Sequence, residues 1–332
     1  MITLTAASVG MAITNGRAAW AKSETHQPVI WRGIALGAAA QIILYHEDRA
    51  AAQAALERCR MEINRLENMF SLYRPGSHLL RLNHDGLLKN PDFEMIDLFS
   101  RAIELGRQTG GAFDISVQPL WALYQEHFSN ENMSGSVPSE SAINETLRLV
   151  DSQKIAVSSE MIKLGKKGMS VTLNGIAQGF ITDRIADLLK GAGFKTTLLN
   201  LGEIYAIGGK PIAALSGQPH ISPWQVGIED PDGGGRVLKT IALKNQAMAT
   251  SASTGTLFSK DGKHHHLFDP RTGASTDIYK SVSVTAPNAT TADALSTAFS
   301  ALPPSDIRRV LKAHPNARAI IIGKNEEMLE LG

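Results

Sequence analysis

The sequence predicts a mixed α+β fold, in which layers of helices pack on layers of strands. Two segments, 48–70 and 92–109, carry apolar residues at helical spacing. Three others, 30–45, 196–201 and 281–286, are rich in alternating or β-branched apolar residues, as strands are. The two kinds of segment interleave without the strict alternation of a parallel βαβ series, which favours mixed α/β layers.

Length and composition set the scale of the molecule and exclude several functions. The chain has 332 residues, 43% of them hydrophobic, which is enough for one large domain or two intimately joined ones. A net charge of +1 with scattered basic residues argues against nucleic acid as a partner. The single cysteine, Cys59, excludes an internal disulfide and a thiolate metal cluster. Its spacing from Ala55 and Ile63 is helical and predicts a buried thiol.

Residues 1–21 predict an export signal, followed by one functional domain over 30–332. Residues 3–13 are apolar, and residues 19–21 have the small-x-small form of a signal-peptidase site. The basic region that normally precedes such a run is missing, which we interpret as a start codon placed a few residues late. A lost arginine pair would fit the twin-arginine route to the periplasm. The alternative is an ordinary N-terminus without a signal.

The remaining elements follow from Pro-Gly pairs, glycine turns and short apolar periods. They are a loop at 71–77, a short helix at 121–128, an exposed loop at 130–141, strands joined by a turn at 165–168 within 154–173, a helix at 183–190, turns at 208–224 and 230–235, and a helix at 292–302. The helix at 183–190 is expected to end at Gly191 or Gly193, because glycine readily takes the left-handed conformation that closes a helix.

The segment 174–183 is the most informative part of the chain. It places Gly175, Gln178 and Gly179 immediately before a predicted amphipathic helix. Glycines let the backbone approach an anionic ligand closely, and a helix N-terminus attracts negative charge. The alternative is a turn that only starts the helix.

Asp293 and Thr297 lie one helical turn apart in the predicted helix at 292–302. This spacing puts a carboxylate and a hydroxyl on one face, and such oxygen ligands suit Mg²⁺. The alternative is that Asp293 charges the helix start while Thr297 bonds back to a backbone carbonyl.

Two further segments carry polar side chains beside apolar ones. In the run 264–266 of three histidines, only His266 is followed directly by apolar residues, so we expect it to enter a structured strand. The run could instead be a solvated loop. Near Gly110 and Gly111, the sequence Ala112-Phe113-Asp114 can bring backbone and a carboxylate to a ring system, although Asp114 could equally satisfy nearby amides.

Together these segments resemble the ApbE family of flavin transferases (FAD:protein FMN transferases), from about Trp31 to the end of the chain. The matching segments occur in the family's order and are 70–77 with 81–83, 111–115 with 119–120, 174–183, 200–202, 249–251, 266–273 and 292–297. The resemblance implies the ApbE-like flavin transferase fold, with the FAD site between the layers.

The resemblance also implies the chemistry: FMN passes from bound FAD to a Thr or Ser hydroxyl of an acceptor flavoprotein that is membrane-associated, and AMP leaves. Mg²⁺ on the pyrophosphate would be held by the Gly175 carbonyl, Asp293 and Thr297, with Ser296 nearby. The positions that match FAD contacts are Leu36, Tyr73, Ala112, Phe113, Asp114, Thr172, Gln178 and His266. His266 or Asp293 would be the catalytic base, and the sequence leaves both open.

The chain departs from the family pattern at three places. Gln178 stands where the family commonly has Lys, the segment 200–204 replaces Asn-x-Gly-Gly-Asp, and Ala252 replaces a frequent Gly. Gln178 with Glu203 is similar to the NosX-like subgroup, whose acceptor is a membrane-bound regulator of nitrous oxide respiration. The loss of the lysine keeps open the alternative of a non-catalytic FAD-binding protein. A second alternative is an FAD pyrophosphatase, in which water replaces the acceptor hydroxyl.

Overall fold

The computed structural model describes residues 27–129, 136–212 and 220–332. The export signal predicted for 1–21 and part of the loop predicted at 130–141 lie outside these ranges. Within them, no helix combines the length and the apolar character needed to cross a bilayer.

The core of the molecule is an antiparallel sheet of eight strands. In chain order the strands are β1 (Val29–Ala35), β2 (Ala38–Leu44), β3 (Leu87–Lys89), β4 (Ala156–Val157), β5 (Met161–Lys163), β6 (Thr197–Asn200), β7 (Ile204–Ile207), β8 (Lys210–Ile212), β9 (His220–Ser222), β10 (Trp224–Glu229), β11 (Val237–Leu243), β12 (Gln246–Ala252), β13 (Tyr279–Ala286), β14 (Arg318–Gly323) and β15 (Met328–Leu331). The large sheet has the order β1-β2-β6-β7-β12-β13-β14-β15. Smaller sheets are β3-β5-β4, β8-β9 and β10-β11.

Eight helices of the described ranges accompany the sheet. They are α1 (Arg49–Phe70), α2 (His78–Asp85), α3 (Phe93–Gln108), α4 (Gln118–Ser129), α5 (Glu140–Leu147), α6 (Ala177–Gly191), α7 (Ala289–Phe299) and α8 (Pro304–Leu311). The 3₁₀ turns are Ile115–Val117 and Ser152–Lys154.

The two faces of the large sheet bury different partners, because successive strand residues point to opposite sides. In β2, Ile42 and Leu44 face the main core, which includes the apolar faces of α1, α3, α6 and α7. Ile43 faces the other side and joins Trp224 and Val226 of the β10–β11 hairpin. The molecule is therefore layered as helices, sheet and hairpin, which confirms the predicted mixed α+β fold.

Several elements form where the sequence predicts them. The segment 30–45 is the β1–β2 hairpin, and α1 begins after Asp48, whose side chain accepts a hydrogen bond from the Ala51 amide at 3.0 Å. Cys59 is fully buried in α1, as its spacing predicts. Burial raises the pKa of its thiol to about 12, so this cysteine is an inert part of the core.

The prediction for 154–173 is only half right. Two short strands, β4 and β5, precede the turn at 165–168, but no strand follows it. The Asn83 side chain takes the place of a neighbouring strand, because its amide pairs with both the N–H and the C=O of Val171 at 2.7 and 2.8 Å. The Thr172 amide then donates to the Ile115 carbonyl at 2.8 Å. The chain thus enters the segment before α6 as an anchored loop.

Candidate functional site

The site is built on a close crossing of α6 and α7. At Gly179, in the first turn of α6, an added Cβ would lie 2.3 Å from the Ala289 carbonyl oxygen and 2.9 Å from the Asp293 Cβ. Only glycine permits this approach. The Gly179 amide donates to Asp293 Oδ2 at 3.0 Å, and the Asp293 side chain is buried. Gly179, which the sequence predicts to let a ligand approach the backbone, therefore also positions the carboxylate of Asp293, which is predicted to bind metal.

The loop before α6 lies against the last turns of α7. A Cβ at Gly175 would be 2.9 Å from Thr297 Oγ1 and 3.4 Å from a ring carbon of Phe113. Thr297 is partly exposed, whereas Phe113 is buried. The structure therefore brings together Gly175, Thr297 and Phe113, which come from three distant segments of the sequence.

Hydroxyl groups from β12 support this end of α7. Ser251 Oγ lies 2.8 Å from Ser296 Oγ and 3.3 Å from Thr297 Oγ1. Ser296 is fully buried, and its hydroxyl donates to the Asp293 carbonyl at 2.9 Å. Of the two neighbouring hydroxyls, Thr297 is the one that faces the loop, while that of Ser296 is engaged within the protein. No role for Ser251 follows from the sequence beyond its place in the matched segment 249–251.

Thr172 and Tyr73 contact the same loop, and Leu36 is tied to Tyr73 through Glu67. Thr172 Oγ1 accepts a hydrogen bond from the Asn174 amide at 3.2 Å, and the half-exposed Tyr73 hydrogen-bonds the Asn174 side chain. Leu36 lies at the tip of the β1–β2 hairpin with a left-handed φ of 46°. Its amide donates to Glu67, which also pairs with Arg74 next to Tyr73. This buried glutamate therefore ties the hairpin tip to the Tyr73 loop.

Ala112 is buried in the main core, whereas Asp114 is partly exposed and held by hydrogen bonds. The Asp114 carboxylate accepts hydrogen bonds from the amide and hydroxyl of Ser116 at 2.7 and 2.5 Å, and from the Ser152 amide at 2.9 Å. These bonds favour the alternative that Asp114 satisfies nearby amides. It also lines a cleft together with Gly111 and Arg271.

The three adjacent histidines have three different environments. His264 stacks on Phe128 with ring centroids 5.2 Å apart. His265 is buried, and its Nε2 lies 2.8 Å from the Thr276 carbonyl oxygen, so it holds the loop together.

His266 packs against the turn at Gly255. A Cβ at Gly255 would lie 2.7 Å from the His266 ring, and the Thr256 amide donates to Nδ1 at 3.1 Å. Burial lowers the pKa of His266 to about 4, with a smaller lowering contribution from His265 and an opposing one from the Thr256 backbone. The ring is therefore neutral at pH 7. Its Nδ1 also lies 3.3 Å from the Thr256 carbonyl oxygen, so the backbone of Thr256 holds the ring in either tautomer.

We expect this depressed pKa to make the fold sensitive to acid. Unfolded His266 binds a proton near pH 6.5, whereas the folded side chain resists protonation until about pH 4. Stability is therefore fully present above pH 6.5 and is lost as the pH falls towards 4. Urea unfolding at pH 7.5, 6 and 5 should show a smaller acid loss for His266→Gln than for the wild type. Equal losses would contradict the assigned environment.

Gln178 contacts the turn between β6 and β7. A Cβ at Gly202, whose φ is 102°, would lie 2.4 Å from the Gln178 side-chain nitrogen. The next residue, Glu203, is buried, and burial together with the charge of Asp293 raises the pKa of its carboxyl well above the usual range. In the sequence, Glu203 stands out as a departure from the family pattern and, with Gln178, as a similarity to the NosX-like subgroup. The sequence does carry one signal for Glu203, because it is a charged residue within the mostly apolar segment 197–207.

The donor set at the crossing fits a magnesium ion. No group of three or more His, Cys, Asp or Glu side chains that could hold a metal occurs in 27–129, 136–212 or 220–332. Mg²⁺ does not need one, because it commonly takes one or two carboxylates and fills its other positions with water and phosphate. Asp293 Oδ1 accepts no hydrogen bond from the described residues, and Thr297 offers a partly exposed hydroxyl beside Gly175.

Comparisons with known proteins agree with this geometry. A sequence model of the ApbE family matches residues 36–321. The FAD:protein FMN transferase of Treponema pallidum is 30% identical over 87% of this chain and 83% of its own length. The enzyme of the same name from Escherichia coli K12 is 25% identical over 88% of this chain and 83% of its own.

Two solved structures have the same fold. The ApbE protein of Thermotoga maritima superimposes with a TM-score of 0.79 at 28% identity, covering 92% of this chain and 97% of that one. The flavin transferase ApbE from Vibrio cholerae gives a TM-score of 0.74 at 23% identity, covering 92% and 96%.

Proposed function

Because this chain belongs to the ApbE family, we propose that it transfers FMN from FAD to an acceptor protein and releases AMP. Its relatives are FAD:protein FMN transferases, so the chain is an enzyme of the transferase class. The observation that carries the proposal is the convergence at the start of α6. There Asp293, Thr297 and the Gly175 loop, all matched by the family's pattern, lie together.

The proposed reaction forms one bond and breaks one. The acceptor oxygen, from a Thr or Ser hydroxyl, bonds to the phosphorus of the FMN half of FAD. The bond between this phosphorus and the oxygen that bridges the two phosphates of FAD breaks. The second phosphate leaves as part of AMP, and the acceptor hydroxyl loses its proton. No covalent intermediate with this chain is required, so its residues serve to bind, orient and move that proton.

The cation site would consist of Asp293, Thr297 and the backbone carbonyl of Gly175. Bound Mg²⁺ would neutralise charge that develops on the pyrophosphate. The positive end of the α6 dipole lies at the same place and favours anionic groups there. This arrangement supports FAD binding with the pyrophosphate beside Gly175.

The roles of His266 and Asp293 follow from their hydrogen bonds. The Thr256 backbone holds Nδ1 of the neutral His266 ring, which leaves Nε2 to interact with a phosphate oxygen. Asp293 Oδ1 accepts no hydrogen bond from the described residues, so Asp293 is the better candidate for taking the acceptor proton. Tyr73 and Thr172 border the loop where the flavin would lie, and Leu36 lies at the hairpin tip that Glu67 ties to the Tyr73 loop.

The acceptor and the compartment are proposed from the sequence. Gln178 with Glu203 favours a membrane-associated regulator of nitrous oxide respiration, carrying the Thr/Ser flavinylation motif, as the acceptor. The apolar run at 3–13 with the small-x-small site at 19–21 favours the periplasm as the place of the reaction.

The test is to incubate the purified protein with FAD, Mg²⁺ and a periplasmic acceptor domain, and to view a denaturing gel under ultraviolet light. We expect a fluorescent acceptor band that disappears when a chelator is added. Free FMN and AMP with a dark band would indicate a pyrophosphatase. Unchanged FAD with each acceptor tried would indicate a protein that only binds the flavin.

A further inference from the structure

We propose that Glu67 and Arg74 are positioning residues for FAD. They fix the hairpin tip at Leu36 to the Tyr73 loop, the segment 71–77 between α1 and α2, so that Leu36 and Tyr73 form one wall for a planar ring of FAD before FAD arrives. The inference rests on the proposed function, since it concerns the binding of FAD. Glu67 lies in the last turn of α1, and its side chain is only 7% exposed, whereas Arg74 is half-buried.

The Glu67 carboxylate bonds two different segments with its two oxygens. Oε1 accepts a hydrogen bond from the Leu36 amide, and Oε2 pairs with the Arg74 guanidinium. Another guanidinium nitrogen of Arg74 donates to the side-chain oxygens of Asn64 and Asn68 at 2.6 and 2.9 Å. These three acceptors share one face of α1, because residues three and four apart are neighbours on a helix. One set of charge-assisted bonds therefore fixes the hairpin tip and the loop to α1.

The backbone at the hairpin tip is uncommon. Ala35 pairs with Ala38, so the connection consists only of Leu36 and Gly37, whose φ angles are 46° and 80°. Two-residue turns with both φ positive normally take Asn, Asp or Gly, since the Cβ of a leucine is crowded by backbone there. Such outliers persist where the surroundings hold them, and they cluster at ligand sites. The hydrogen bond from the Leu36 amide to Glu67 is a contact that holds this one.

A ring contact places the Tyr73 loop beside the candidate site. Phe70, the last residue of α1, packs edge-on against Phe180 of α6, with ring centroids 5.6 Å apart. Phe180 follows Gly179, whose amide donates to Asp293. Tyr73 comes three residues after Phe70 and is 54% exposed, so it offers a ring face on which a planar ring can stack. The loop that carries this exposed ring therefore lies next to the start of α6.

A wall that is fixed in advance strengthens FAD binding and leaves the chemical step unchanged. A binding surface that forms only part of the time lowers the apparent affinity by the fraction of time for which it is formed. Because Glu67 is bonded to Leu36 and Arg74, it acts through the wall and not on the reacting phosphate. Loss of the clamp should therefore raise the Kd and the KM for FAD while kcat is kept.

The test is FAD binding by the full chain with Mg²⁺, measured by equilibrium dialysis. Glu67→Gln can still accept from the Leu36 amide but cannot pair with the charge of Arg74, so we expect the Kd for FAD to rise by about tenfold. The KM for FAD should rise in parallel, while kcat stays within about threefold of the wild type. The control is Glu57→Gln, which breaks a pair with Arg60 on the same helix, where both side chains are 56% exposed, and should bind FAD as the wild type does.

A double-mutant cycle with Tyr73→Ala separates positioning from support of the fold. Tyr73→Ala should itself weaken FAD binding. If Glu67 acts through the wall, adding Glu67→Gln to Tyr73→Ala should change the Kd by only about twofold or less, because the effects of coupled residues do not add. A residue that only supports the fold would change the Kd by the same factor in both backgrounds, and that result would overturn the inference.

Arg74→Gln covers the case in which Glu67→Gln does not fold, because Arg74 is the more exposed partner of the pair. It should raise the Kd for FAD in the same way. Circular dichroism identifies the variants that are folded. An unchanged Kd in either folded variant would overturn the inference and leave the proposed transferase intact. A wild type that binds no FAD would overturn the proposed function as well.

Discussion

Replacing Asp293 by asparagine is expected to lower the rate of FMN transfer by about a thousandfold or more while the protein stays folded. The asparagine oxygen can still accept the Gly179 hydrogen bond, and its volume matches that of aspartate. What is lost is the charge that would hold the cation and take the acceptor proton. Each factor of ten in rate corresponds to about 1.4 kcal/mol of activation free energy, so the loss of a metal ligand is enough to account for the expected decrease.

The measurement for Asp293→Asn is kcat with FAD, Mg²⁺ and acceptor, together with a melting curve. The matched control is Asp187→Asn, which removes an exposed carboxylate elsewhere on α6 and should keep full activity. If Asp293→Asn retained more than about a tenth of the wild-type rate, Asp293 would be neither a cation ligand nor a catalytic group.

The second large effect is expected at Gly179. In Gly179→Ala, the new Cβ would lie 2.3 Å from the Ala289 carbonyl oxygen, a backbone atom that moves only if α7 moves. Overpacking of this kind costs about 3 kcal/mol, which lowers the melting temperature of a domain this large by about 5 °C. Because Asp293 is carried by α7, the same shift should weaken cation and FAD binding.

Gly191→Ala is the control for helix composition. Gly191 ends the same helix, and a Cβ there would meet nothing within 4 Å. Its replacement should change stability by less than about 1 kcal/mol, since alanine favours a helix. If Gly179→Ala and Gly191→Ala melted at the same temperature, the close crossing of α6 and α7 would not exist as described.

Local signals in the sequence were sufficient for much of the fold. The α1 helix begins where Asp48 can cap it, and α3 runs over Phe93–Gln108 within the predicted 92–109. The hairpin at 30–45 and the strand β13 also follow from alternation within a few residues. These elements depend on contacts between near neighbours, and short-range periodicity records such contacts well.

The failures occur where distant segments decide the structure. Residues 169–173 are apolar enough for a strand, but the Asn83 side chain pairs with Val171 instead. Helix α6 begins at Ala177, six residues before the start predicted at 183, because its first turn packs on α7 through Gly179. Neither pairing leaves a periodic signal in the chain.

The candidate site was predicted in parts. The family pattern supplied Asp293, Thr297, Gly175 and His266, and the structure brings the first three together. The environment of Glu203 needed coordinates, because it is buried beside Thr182 of α6, a contact between different elements. The sequence could not choose among the three histidines on chemical grounds, since their different partners come from Phe128, Thr276 and Thr256.

The central claim is that the FMN half of FAD moves onto another protein, and intact-mass spectrometry of the acceptor tests it most directly. With FAD and Mg²⁺, we expect the acceptor to gain the mass of FMN less one water, with one AMP released for each modified chain. The Asp293→Asn variant should leave the acceptor mass unchanged. An unmodified acceptor in a reaction that releases equal amounts of AMP and free FMN would contradict the claim.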